Sequence, residues 1–116
     1  MTTAESAVRY HDGTAVVDLP AQIDSTAEQA LNDAYAAAMV HGSKTVLLNF
    51  ASVEFLSSTG IALIVGILAR ARKDGCAIRA SGLSDHYKEI FEITRLADFM
   101  TIFADENAAL KGDGPK

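Results

Sequence analysis

The chain has 116 residues, of which 49% are hydrophobic and 22% charged, with a formal net charge of -5. That is enough for one domain, 1–116, with a true core and no need of disulfides or metal, and it excludes a disordered chain. The 10 basic residues are scattered and outnumbered by 15 acidic ones, so the basic footprint of a nucleic-acid binder is missing.

Residues 8–10 and 14–19 are predicted as two short strands around a His11-Asp12-Gly13 turn, and Asp12-Gly13 is a strong hairpin dipeptide. Pro20 limits the second strand. Asp24, Ser25 and Thr26 then open a helix, with Ser25 and Glu28 spaced as a capping box. Ala30, Leu31, Ala34, Ala38 and Met39 recur at helical spacing until Gly42 stops the run. Residues 45–50, Thr-Val-Leu-Leu-Asn-Phe, form a continuous apolar strand of the kind buried on both faces.

The next stretch, Val53-Glu54-Phe55-Leu56-Ser57-Ser58-Thr59-Gly60, places three consecutive hydroxyls where a strand gives way to a helix. A helix start leaves backbone N–H groups unpaired and carries partial positive charge. Hydroxyls there can cap the helix, meet an anion or receive a phosphate. The predicted helix, 61–72, is apolar almost all round: Ile61, Leu63, Ile64, Val65, Ile67 and Leu68. It is either fully buried or keeps part of its surface for a partner. Lys73-Asp74-Gly75 ends it, and 76–81 is a further strand. Ser84 or Asp85 caps a helix reaching Arg95, with Tyr87, Ile90, Phe91 and Leu96 on its inner side. A short strand at 101–103 and a last helical turn or two at 105–110 follow, and the tail, 112–116, reads as frayed. Strands alternating with helices imply an α/β layer fold with at least partly parallel pairing.

Metal, cofactor and independent catalytic chemistry are not indicated. His11, His41 and His86 fall in separate turns or helix starts, with no ligand spacing around them. No phosphate loop and no G-x-G-x-x-G motif occurs, and Ser-Thr-Gly does not meet the G-x-S-x-G pattern of a nucleophile elbow. Asp24 and Glu54 are loop carboxylates near strand ends. Cys76, the lone cysteine, reads as a small buried hydrophobe. No signal peptide is read at the N-terminus, and the longest apolar run, 61–69, is about half of what a membrane helix needs. These features point to the cytoplasm, without membrane insertion. A start methionine and a polar tail fit a stand-alone protein.

The order of elements and the segment 53–65 resemble the STAS family, the anti-sigma factor antagonists of bacteria. Gln22-Ile23-Asp24 before Ser25-Thr26-Ala27 is similar to the family's acidic turn, and Gly82-Leu83-Ser84 with Ile90, Phe91, Leu96 and Phe103 to its C-terminal half. The resemblance covers roughly residues 7–110. It implies a single STAS-like α/β domain, with a mixed sheet of about four to five strands packed with about four helices. The family signature commonly reads Asp-Ser-Ser/Thr-Gly, whose first serine accepts phosphate. Matched here, Ser58 is the acceptor, with Ser57 and Thr59 as fallbacks, and Ser57 stands where the aspartate is usual. The resemblance further implies a partner-binding patch of Asp24, Ser25, Thr26, Ser57, Thr59, Gly60 and Ile61. Its partner would be an anti-sigma factor with a histidine-kinase-like ATPase domain, and a serine phosphatase would reset it. The chain would then be a ligand and substrate rather than an enzyme, with no cofactor of its own. The alternatives are a STAS scaffold module of a larger signalling or transporter-associated assembly, with the apolar helix as an oligomer interface, and a small-ligand module binding a nucleotide or lipid at the serine loop.

Overall fold

The structure is a computed structural model that describes residues 7–111. The N-terminal six residues and the tail expected to fray lie outside the described residues. Strands β1 (Ala7–His11) and β2 (Thr14–Asp18) form the predicted hairpin. Its two turn residues, Asp12 and Gly13, have φ of 46° and 82°. Two positive φ values in succession match the right-handed twist of the flanking strands, which is why Asp-Gly is found there.

Strands β3 (Gln22–Ile23), β4 (Thr45–Asn49), β5 (Phe55–Leu56), β6 (Ala77–Ser81) and β7 (Thr101–Phe103) follow, with a helix after β3, β5, β6 and β7. The helices are α1 (Glu28–His41), α2 (Ser58–Asp74), α3 (Asp85–Ile93) and α4 (Glu106–Lys111). Five strands make one mixed sheet in the order β1-β2-β4-β6-β7, parallel throughout except for the β1–β2 pair. Among the described residues no helix is long and apolar enough to cross a membrane.

Alternation along the strands divides the core into two layers. Ala15, Val17, Val46, Leu48, Ile78 and Ala80 face α1, α2 and α3 and belong to the larger cluster. Val16 and Leu47 point the other way and meet Phe103 and Ala109 under α4. This explains the unbroken apolar run in β4, whose Val46, Leu47 and Leu48 are all buried on alternating faces. Polar contacts hold α4 in place. Arg79 donates from Nη1 to the Ala109 carbonyl at 2.6 Å. Arg9 bridges Asp18 and Glu106 at 2.7 and 2.6 Å, and Asn49 Nδ2 donates to Asp18 at 2.8 Å.

Four expectations are corrected. The Ser25–Glu28 capping box does not form. Asp24 caps instead, and the chain passes through a 3-10 turn at Ser25–Ala27 before α1 begins without a side-chain cap. Helix α2 starts at Ser58, three residues earlier than expected, because Ser57 caps it. Helix α3 stops at Ile93: Thr94 Oγ1 donates back to the Ile90 carbonyl at 2.7 Å, and Arg95 takes a left-handed conformation with φ of 67°. Leu96 still reaches the core, but from a 3-10 turn at Leu96–Phe99. Cys76 is half-buried rather than enclosed. Desolvation, then the nearby Asp74 charge, pushes its thiol pKa up, so it is not an activated nucleophile.

The apolar helix α2 is not covered all round. Ile64, Ile67, Leu68 and Ala71 face the core, while Ala62, Val65, Gly66 and Ala69 face outward.

Candidate functional site

The site is built on a second, two-stranded sheet apart from the main one. The Glu54 and Phe55 amides both donate to the Ala21 carbonyl, at 2.7 and 3.0 Å, and the Ser57 amide donates to the Ile23 carbonyl at 3.0 Å. These bonds set β3 parallel to β5, with Gln22 beside Phe55 and Ile23 beside Leu56. Each strand is followed at once by a capping residue, Asp24 after β3 and Ser57 after β5. The parallel register therefore brings the acidic turn and the serine turn side by side, although they are 33 residues apart in sequence.

Each of the three hydroxyls at the start of α2 has a distinct situation. Ser57 has extended backbone, and its Oγ accepts from the Gly60 amide at 3.0 Å. The same oxygen lies 3.4 Å from the Ile23 carbonyl, to which it donates, so the Ser57 hydroxyl is engaged on both sides. Serine is among the best residues for this N-cap position, as is aspartate. Ser58 and Thr59 occupy the first two helical positions and are exposed. Neither hydroxyl has a hydrogen-bond partner among the described residues. Their backbone amides are likewise left without an acceptor there, as the first turn of a helix requires.

Gly60 allows this arrangement. A Cβ added to it would lie 2.1 Å from the Ile23 carbonyl oxygen and 2.9 Å from Leu56 Cδ1. Only a residue without a side chain lets the first turn of α2 rest directly on β3. Ile61, expected in the docking patch, is half-buried and packs against the main core.

On the other side of the site, Asp24 Oδ1 accepts from the Thr26 amide at 3.0 Å and from the Thr26 hydroxyl. The Thr26 hydroxyl first, and its amide second, hold the Asp24 carboxyl below its ordinary value of 3.8. It is thus an anion at neutral pH. Ser25, Thr26 and Glu54 are exposed around it.

Two residues of this neighbourhood were not singled out for it from sequence. Phe55 sits in β5 with 49% of its surface exposed, an aromatic ring directly beside the serine turn. Its position before Leu56-Ser57 was visible in the sequence, but only the two-residue strand reveals that it faces out. Tyr87, expected on the inner side of α3, is half-buried and packs against the core. Its hydroxyl accepts the Leu56 amide at 3.0 Å. No sequence pattern carries that contact.

Among the described residues, an exposed hydroxyl at a helix start, two amides without acceptors, an adjacent carboxylate and an exposed aromatic ring thus share one surface. With a mixed sheet, three crossover helices on one face and this paired-turn edge, the molecule has the architecture of a STAS-type module. The STAS domain family model matches residues 5–109, and the chain belongs to that family. It is 33% identical over 61 residues to an anti-sigma-B factor antagonist of Staphylococcus aureus, covering 53% of this chain and 56% of that one. The chain thus spans just over half the length of that relative. An anti-sigma-B factor antagonist of Staphylococcus epidermidis is 27% identical over 92 residues, covering 79% of this chain and 85% of that one. Among solved structures, an anti-sigma-factor antagonist (STAS) domain protein from Planctomyces limnophilus superposes with a TM-score of 0.80 at 23% identity, covering 96% of this chain and 98% of that one.

Proposed function

We propose that this STAS domain is an anti-sigma factor antagonist, a non-catalytic binding switch governed by phosphorylation of Ser58. Unphosphorylated, it docks an anti-sigma factor with a histidine-kinase-like ATPase domain, and the sequestered partner releases its sigma factor. Phosphorylated, it lets go, and a serine phosphatase resets it. The observation that carries this reading is the exposed, unpartnered Ser58 hydroxyl on the first turn of α2, beside the Asp24 turn. Of the three hydroxyls, Ser57 is consumed by its capping bonds, which leaves Thr59 as the second choice.

The energetics fit such a switch. A phosphate adds about -1.5 to -2 charges. The start of α2 tolerates it, since helix N-termini favour anions by about 0.3–1 kcal/mol. A docked partner does not, because burying an unpaired phosphate costs several kcal/mol, and a loss of about 2.7 kcal/mol is already a hundredfold in affinity. The test is capture of the partner kinase from native lysate, followed by phosphate mapping with ATP. Ser58→Ala binds constitutively and takes no phosphate, while Ser58→Asp binds poorly. Phosphate found only at other residues, or undiminished binding by Ser58→Asp, would refute the switch.

One observation favours a second reading, a scaffold module. Val65 and Phe99 are 44% and 52% exposed and, with Leu68, Ala69, Arg72 and Leu96, line an apolar groove of about 260 Å³. Val65 lies about 10 Å along α2 from Ser58 at the rise of a helix. Light scattering of the purified chain separates the two readings: a phosphate-independent oligomer that Val65→Glu dissolves supports the scaffold.

A further inference from the structure

The two-stranded sheet that carries the serine turn has an open side. Successive N–H groups of a strand point to opposite edges. The Phe55 and Ser57 amides point toward β3 and bond there. The Leu56 amide, between them, points to the other edge, where no third strand lies among the described residues. A two-residue strand with an unpaired inner amide would be a poor platform. In this chain the gap is closed by one side chain from a distant element: the Tyr87 hydroxyl accepts the Leu56 N–H at 3.0 Å.

The Tyr87 ring is well placed to hold that hydroxyl still. It packs against the main core and stands edge-on to His86, with ring centroids 5.0 Å apart. The backbone of Tyr87 is fixed as well, since its amide donates to the N-cap oxygen of Ser84 at 3.3 Å. Leu56 is itself 6% exposed and adjoins Ser57, the cap of α2. The geometry points to Tyr87 as a positioning residue: its hydroxyl stands in for the absent strand, locks β5, and so fixes the turn from which Ser58 projects. The inference about Leu56 order stands on geometry alone, whereas its consequence for modification rests on the Ser58 reading above.

Tyr87→Phe removes the hydroxyl and keeps the ring. A net hydrogen bond of this kind governs local opening by a factor of about three to ten. Amide hydrogen exchange is therefore expected to accelerate about three- to tenfold at Leu56, and in the same direction at Ser57, with β2, β4 and β6 unchanged. Tyr87→Leu, which also removes the ring, separates packing from hydrogen bonding. It should match Tyr87→Phe at Leu56 and additionally loosen α3. Exchange at Leu56 equal to wild type in Tyr87→Phe overturns the inference, and so does uniform acceleration across the domain. With the kinase captured by Ser58→Ala as the probe, Tyr87→Phe should lower kcat for Ser58 modification more than it raises KM. An unchanged kcat denies Tyr87 the positioning role. Absence of phosphate on wild-type Ser58, with Leu56 exchange still faster in Tyr87→Phe, would sink the Ser58 switch and leave the strand-completing bond standing.

Discussion

Ser57 and Gly60 show how one turn fixes both a backbone and a surface. By its resemblance to the family signature, Ser57 would stand where aspartate is usual, and either residue can accept the Gly60 amide. Replacing it with aspartate should therefore leave unfolding free energy unchanged within a few tenths of a kcal/mol, whereas Ser57→Ala should cost about 1 kcal/mol. Urea titration of the two variants checks this. What the natural serine changes is charge: the cap beside Ser58 is neutral, and Asp24 on the neighbouring turn supplies a carboxylate. Gly60→Ala is a different case. Its methyl would press on the Ile23 carbonyl, so the variant should lose about 1–3 kcal/mol by overpacking. The damage should concentrate in β3 and β5, visible as faster amide exchange at Phe55 and Ser57.

At the scale of elements, α4 is a short clamp over the second face of the sheet. Its apolar contribution is small, chiefly Ala109 against Val16, Leu47 and Phe103, so the Arg9 bridge matters to it. Hydrogen bonds from Arg9 hold both the Asp18 and Glu106 carboxyls below their ordinary values of 3.8 and 4.5. Depressed carboxyl pKa values contribute stability above those ordinary values, and the contribution disappears as the pH falls through the folded-state values. Solvent screening at the half-exposed Arg9 keeps it to about 1 kcal/mol or less. Thermal melts between pH 7 and pH 3 should show this loss, and Arg9→Met should flatten that part of the profile. Much of this architecture was legible in sequence: Asp12-Gly13 specified the hairpin, and the run at 45–50 specified a strand buried on both faces. The pair β3–β5 was not, because two residues carry no period. Asp24 and Ser25 each preceded a plausible helix start, and only the intervening 3-10 turn gave the cap to Asp24. The candidate site was legible as the hydroxyl cluster and the acidic turn, which the structure sets side by side. Phe55 and Tyr87 escaped because their roles depend on the free edge and outer face of a strand that no pattern announced.

For the whole molecule, the proposed phosphate on Ser58 should be thermodynamically quiet. The hydroxyl is exposed and the α2 amides beside it are unpaired, so the phosphorylated domain should unfold within about 1 kcal/mol of the unmodified one. Circular dichroism melts of both forms check this, and a loss of several kcal/mol would mean that the modification acts by unfolding the domain rather than by blocking its face. The main sheet takes no part in that face, although Ile23 and Leu56 tie β3 and β5 to the larger core layer. The acidic and serine turns hang instead on β3 and β5, joined to one another by backbone bonds that are indifferent to side-chain identity. Recognition can thus drift while the interior stays as it is. Transplanting 21–26 together with 53–60 onto another domain of this family should carry partner choice with it, and transplanting either segment alone should carry only part of it, because each supplies just one of the two turns that the ladder sets side by side.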